Sequence, residues 1–115
     1  MRSGDLIVTS LPQADGVRKN RPALVLCAMR PYGDLLVCGI STQRHTSVAN
    51  FDEPLSSGDA DFSASGLAAP SLIRLGFLST VSLSEIKGCI GSVSPERHQR
   101  LLRRLGDYLA GLARP

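Results

Sequence analysis

Lys19-Asn20-Arg21-Pro22-Ala23-Leu24-Val25-Leu26 changes character at its middle: two cations and an amide, then a proline, then an apolar run that continues into Cys27. Proline cannot donate to a central ladder and fits the first position of a strand, so the stretch reads as a buried strand opening at Pro22. Upstream, residues 13–20 are polar and carry the turn dipeptide Asp15-Gly16, which makes them a surface loop. Before the loop, Leu6-Ile7-Val8-Thr9-Ser10-Leu11 has the length and β-branched content of a strand ended by Pro12. Downstream, Arg30-Pro31-Tyr32-Gly33-Asp34 is a turn and Leu35 to Ile40 a third strand, joined to the second as an antiparallel hairpin. That pairing sets the start of one strand beside the end of the other, so Arg21 and Ser41 are expected as neighbours at one rim of a sheet.

The remainder extends the same pattern. Residues 41–65 are polar, with only a short strand expected near Ala49 to Glu53, and read as a mobile flap whose acidic part runs from Asp52 to Asp61. Ser71 to Leu75 and Phe77 to Val81 read as two strands with a bend at Gly76, Ser82 to Ile86 as a helical turn, and Cys89 to Val93 as the last strand. Ser94-Pro95-Glu96 then opens a helix, with a hydroxyl cap, a proline at the first helical position and an acid at the positive end of the dipole. Leu101, Leu102, Leu105, Tyr108, Leu109 and Leu112 recur at helical spacing as one apolar stripe expected to pack on the sheet; Arg97, Arg100 and Arg104 fall opposite, where solvent is expected. About five short strands and one amphipathic helix imply a mainly-β fold, a compact antiparallel half-barrel covered by the helix.

With 115 residues, 43% of them hydrophobic and 20% charged, the chain is expected to form one globular domain, residues 1–115. Cys27, Cys38 and Cys89 lie in apolar runs without paired spacing, as buried reduced thiols of a cytoplasmic protein would. No stretch has the apolar character of a signal peptide or a membrane span. The net charge of +3 is unevenly spread: residues 1–47 hold six basic and three acidic side chains, residues 48–93 two and five. A basic first half is compatible with a polyanionic partner.

Familiar catalytic signatures are missing. His45 and His98 are far apart and the cysteines dispersed, so no metal site is expected, and there is no phosphate-binding glycine loop or nucleophile elbow. What remains is Arg21 beside Ser41, with Arg18 and Lys19 in the adjoining loop. A forked, permanently charged guanidinium suits a phosphate and can stabilise the extra charge of a pentacoordinate phosphorane, while a hydroxyl can orient the scissile group. RNA carries its own nucleophile, the 2′-hydroxyl, so cleaving it requires neither a catalytic serine nor a metal.

Gly4-Asp5, Leu11-Pro12, Asp15-Gly16, Lys19-x-Arg21-Pro22-Ala23-Leu24-Val25-Leu26, Ile40-Ser41-Thr42-Gln43, Ser65-Gly66-Leu67-x-x-Pro70-Ser71-x-x-Arg74 and Ile90-Gly91 follow one another over nearly the whole chain. In this combination the sequence resembles the MazF/PemK (Kid-like) toxins of bacterial type II toxin–antitoxin systems. The resemblance implies an SH3-like twisted half-barrel of the MazF/CcdB type, a homodimer, and metal-independent, sequence-specific cleavage of single-stranded RNA by 2′-hydroxyl attack. By position, Arg21 matches the catalytic arginine, Ser41 or Thr42 the hydroxyl residue, and Arg74 the second arginine of the Kid-like branch. Lys19 and Gln43 fall where RNA is contacted, and Arg18, Arg44 and His45 adjoin them. Where some members carry an acid, this chain has Arg18-Lys19 and Gly76; the proton donor is thereby unassigned, with His45 a candidate near neutral pH. A cognate antitoxin with a disordered acidic segment is the implied protein partner. Two other readings share the fold: a non-catalytic SH3-like binding module, and a gyrase poison, which in CcdB acts through a Trp-bearing tail that this Trp-free chain lacks.

Overall fold

In the computed structural model, which describes residues 2–43 and 48–114, Ala23, Leu24, Val25 and Leu26 are all fully buried because their strand is central and both of its faces are covered. The strands are β1 Asp5–Pro12, β2 Arg18–Ala28, β3 Leu35–Ser41, β4 Glu53–Leu55, β5 Ser71–Val81 and β6 Ile86–Ser92, with helices α1 Phe62–Ser65 and α2 Pro95–Gly111 and a short 3-10 turn, Leu83–Glu85. They form one sheet in the order β4-β5-β3-β2-β1-β6, every pairing antiparallel. Leu6, Leu24, Leu26, Ile73 and Leu75 point to one face and pack with Leu101 and Leu105 of α2. Ile7, Leu11, Ala23, Val25 and Val37 point to the other and pack beneath Phe77 and Ile86. The mainly-β half-barrel with a C-terminal helix is borne out.

Pro22 does not open β2. The strand starts at Arg18, because the β1–β2 ladder runs from Leu6↔Leu24 out to Pro12↔Arg18 and turns through residues 13–17. There Gly16 takes a φ of +83° and the Asp15 carboxylate accepts the Val17 N–H at 3.0 Å. Pro22 sits opposite Val8, a position that needs no N–H from it only if the ring faces β3. The β2–β3 ladder accordingly starts one residue later, at Ala23↔Gly39. Beyond that pair the β1–β2 ribbon and the β3–β5 ribbon diverge.

β5 is one strand rather than two. Cys38 pairs with Leu78 and its neighbour Gly39 with Arg74, so Leu75, Gly76 and Phe77 form a bulge with no partners on β3. The bend expected at Gly76 is this bulge.

The expected flap is largely built into the fold. Residues 53–55 pair with β5, and α1 lies on β6 through two glycines. A Cβ on Gly66 would overlap the Ile90 carbonyl, and one on Gly91 the Ala64 carbonyl. These reciprocal close approaches explain why Ser65-Gly66 and Ile90-Gly91 occur as a pair. The charge that marked the flap as solvated is neutralised internally: Arg97, 7% exposed, donates to Asp61, Glu53 and Asp59, and Arg100 and Arg104 also reach Glu53. The solvated arginine face expected of α2 is therefore wrong for Arg97 and only partly right for the other two. The apolar stripe of α2 also differs, since Leu101 and Leu105 are buried but Tyr108, Leu109 and Leu112 are exposed, Tyr108 resting on Phe51 with ring centroids 4.9 Å apart. Of the cysteines only Cys38 is buried; Cys27 is half-buried and Cys89 exposed, because β6 is an edge strand. Among the described residues no helix is long and apolar enough to cross a membrane.

Candidate active site

Where the two ribbons part they enclose a cleft of about 880 Å³. One wall is the β1–β2 ribbon, with Leu11 to Asp15, Arg21 and Pro22; the other is the β3–β5 ribbon, with Gly39 to Gln43, Ser71, Arg74 and Phe77; Leu67, Ala68 and Ala69 close one side. The paired register ends at Ala23↔Gly39, two residues short of Arg21 and Ser41, and these two side chains line the cleft from its two walls, at the one rim where the hairpin argument brought them. Gly39 in turn pairs with Arg74 on its other side. Arg21, Ser41 and Arg74 therefore face the same space from three adjacent strands, with Thr42 and Gln43 at its lip.

The two cleft guanidiniums lack the carboxylate partners that hold the arginines of α2. Arg97, Arg100 and Arg104 each bond a carboxylate, and Arg18 donates to the Ser10 carbonyl at 2.8 Å and its hydroxyl at 3.1 Å. Among the described residues no hydrogen bond or ion pair engages the Arg21 side chain, and that of Arg74 has only the Phe77 ring, 5.9 Å from its Cζ to the centroid. Unpaired guanidinium groups inside a concave wall present a donor set shaped for a planar or tetrahedral oxyanion. The Ser41 hydroxyl complements them. Its Oγ accepts the Gln43 N–H at 3.0 Å, which leaves the hydroxyl proton to donate. The only carboxylate lining the described part of the cleft is Asp15.

Lys19 lies on the strand face that carries Arg21, two residues nearer the ribbon tip and outside the cleft, and Arg18 is tied back to Ser10. Arg44 and His45 lie outside the described residues. Sequence reasoning missed Asp15 as a lining group, having read it only as a turn former, and missed Phe77, whose signal was its place three residues after Arg74. No cluster of metal-ligating side chains occurs among the described residues.

A family model described as the PemK-like, MazF-like toxin of type II toxin–antitoxin systems matches residues 2–109. No curated protein sequence matches the chain. Among solved structures, the Mycobacterium tuberculosis toxin MazF-mt6 superposes with a TM-score of 0.65 at 19% identity, covering 92% of this chain and 96% of that one. An endoribonuclease in complex with its cognate antitoxin, from a mycobacterial species, gives 0.70 at 16% identity over 100% and 99% of the two chains. The MazE–MazF complex of Deinococcus radiodurans gives 0.66 at 15% identity over 95% and 94%. At these identities the structures establish the half-barrel, and the family match establishes kinship: the chain belongs to the PemK-like, MazF-like toxins of type II toxin–antitoxin systems.

Proposed function

We propose that the protein is a cytoplasmic toxin that cuts single-stranded messenger RNA at a short sequence, without a metal, and so arrests translation and growth. The observation that carries this reading is the pair of guanidiniums, Arg21 and Arg74, without carboxylate partners in one cleft beside the Ser41 hydroxyl. The 2′-oxygen of the substrate attacks the adjacent phosphorus; the P–O2′ bond forms and the P–O5′ bond breaks, and the departing 5′-oxygen takes a proton from water, leaving a 2′,3′-cyclic phosphate and a 5′-hydroxyl. Arg21 stabilises the phosphorane charge, Arg74 holds a flanking phosphate, and Ser41 or Thr42 positions the scissile group. Asp15 accepts the 2′ proton, being the carboxylate of the described cleft wall. Lys19 and Gln43 guide the flanking strand. A homodimer and a cognate antitoxin complete the proposal; the latter draws on the antitoxin complexes of two structurally similar proteins.

The test is cleavage of single-stranded RNA by the purified chain in EDTA. Products ending in 2′,3′-cyclic phosphate, lost on Arg21→Ala, support the assignment. Intact RNA with the wild-type protein, or cleavage that survives Arg21→Ala, refutes it.

A further inference from the structure

Aromatic side chains are scarce here, three Phe and two Tyr without a Trp, and their placement sorts them sharply. Phe51 and Tyr108 pack on one another with their planes tilted by 49°, and Phe62 packs against the core on the helix side of the sheet. Tyr32 is 89% exposed in the β2–β3 turn, at the far end of that hairpin from Arg21. Phe77 alone lines the cleft, and it remains half-buried rather than sealed in.

Two features of the chain hold that ring in place. The bulge of β5 takes Phe77 out of register with β3, and Gly39, whose pairing with Arg74 immediately precedes the bulge, has no side chain to oppose it. A Cβ on Gly39 would stand 2.6 Å from the Phe77 Cδ2 and 3.1 Å from both flanking ring atoms, Cγ and Cε2. Three adjacent ring atoms so nearly equidistant mean that the ring lies with a face toward Gly39; contact at its edge would leave the flanking atoms much farther away. A glycine inside a strand weakens it and commonly marks a close approach, which here is the ring itself. The Arg74 guanidinium lies over the ring with its Cζ 5.9 Å from the centroid, near the outer limit of a cation–π contact.

The geometry points to Phe77 as a binding residue for the RNA proposed above: a platform on which one unpaired base stacks, while Arg74 beside it takes the phosphate of the same nucleotide. Single-stranded RNA is gripped through splayed bases stacked on aromatic rings together with cations on its backbone, and this cleft supplies one of each within a few residues. Because every base has a π-face, the platform confers affinity and fixes the strand's position, leaving the choice of base to edge contacts.

The inference rests on the RNA reading of the cleft, and its test separates the two. Phe77→Leu keeps an apolar side chain over Gly39 but removes the π-face; Phe77→Tyr restores it. Each full-length protein is titrated with a short randomised 2′-O-methyl oligoribonucleotide, which cannot be cleaved, and with inorganic polyphosphate, which has no bases. Expected is a roughly ten- to hundred-fold weaker grip of Phe77→Leu on the oligoribonucleotide, recovery by Phe77→Tyr, and unchanged binding of polyphosphate, with melting temperatures confirming the fold. Equal binding of the oligoribonucleotide by wild type and Phe77→Leu overturns the platform whatever the cleavage assay shows. A parallel loss of polyphosphate binding also overturns it, reducing Phe77 to a prop for Arg74. Wild-type protein that binds the oligoribonucleotide but cuts no RNA refutes the nuclease reading alone, and the Phe77→Leu comparison still decides the platform.

Discussion

Arg97 grips Asp61 with two parallel hydrogen bonds, Nε to Oδ2 at 2.8 Å and Nη2 to Oδ1 at 3.0 Å, and reaches Glu53 from Nη1 at 2.7 Å. The Asp61 carboxylate also accepts the backbone N–H of Ser94, so one carboxylate ties α1 to the start of α2. The segment expected to swing as an acidic flap is thus fastened to the helix by its own charges.

Removing the cation strands buried carboxylates, and a broken buried ion pair costs about 3–5 kcal/mol. Arg97→Leu should lower the urea-unfolding free energy by about that amount, whereas the same change at exposed Arg103 should shift it by less than about 0.5 kcal/mol. Equal effects at the two positions would show that the network contributes nothing.

The same contact sets the acid limit of the fold. Hydrogen bonding from Arg97 holds the Asp61 carboxyl at about 2, below its ordinary 3.8. Glu53 is also held below its ordinary value: burial alone raises it, and the hydrogen bonds and charges of Arg100 and Arg97 outweigh that. A carboxyl depressed in the folded state stabilises fully above its unfolded pKa and loses that contribution as pH falls through the folded one. Asp61 should therefore contribute about 2 kcal/mol at neutral pH that disappears as pH falls from about 3.8 to about 2. Urea melts across that window should show the decline, and Arg97→Leu should flatten it.

Much of this was legible beforehand, for reasons that differ by residue. The apolar run from Ala23 and the Ser94-Pro95-Glu96 cap are local signals, and both held. That Arg21 and Ser41 meet at one rim followed from hairpin register alone. Arg97 misled because helical periodicity assigns a face but cannot see that Glu53 and Asp61, more than thirty residues upstream, fold against it. Phe77 was hidden for a related reason: only the β3–β5 register break reveals that Gly39 lies beneath it.

The thiols should separate by environment. Burial, joined by the Asp52 charge, pushes the Cys38 thiol up to about 12, while Cys89 is exposed on the edge strand. A thiol reagent at pH 8 should modify Cys89 first and Cys38 only on unfolding, read by mass spectrometry of the native protein. Early modification of Cys38 would contradict the central position of β3.

At the α1–β6 contact, Gly91→Ala places a methyl group against the Ala64 carbonyl, backbone on backbone, where no side chain can yield. A loss of more than about 2 kcal/mol is expected. Gly88→Ala, on the same strand with nothing near its Cβ position, should be far milder. Comparable melting temperatures for the two variants would mean that α1 does not rest on β6 as described.

For the proposed chemistry, Arg21→Ala should reduce kcat about 100- to 1000-fold, the usual effect of deleting one donor to a developing oxyanion. Arg21→Lys should recover only part, since it keeps the charge and loses the fork. Asp15→Asn retains the oxygen that accepts the Val17 N–H, and hence the loop, so a fall in kcat with unchanged KM would isolate proton transfer.

The cleft opens beside an atom that is not there, the amide hydrogen of Pro22. With almost any other amino acid at position 22, β2 would offer β3 a donor one step beyond Ala23, and the two strands could close like a zip past Ile40, drawing Arg21 flush with Ser41. Proline leaves out one tooth, and the gap it leaves is where a strand of another polymer can lie.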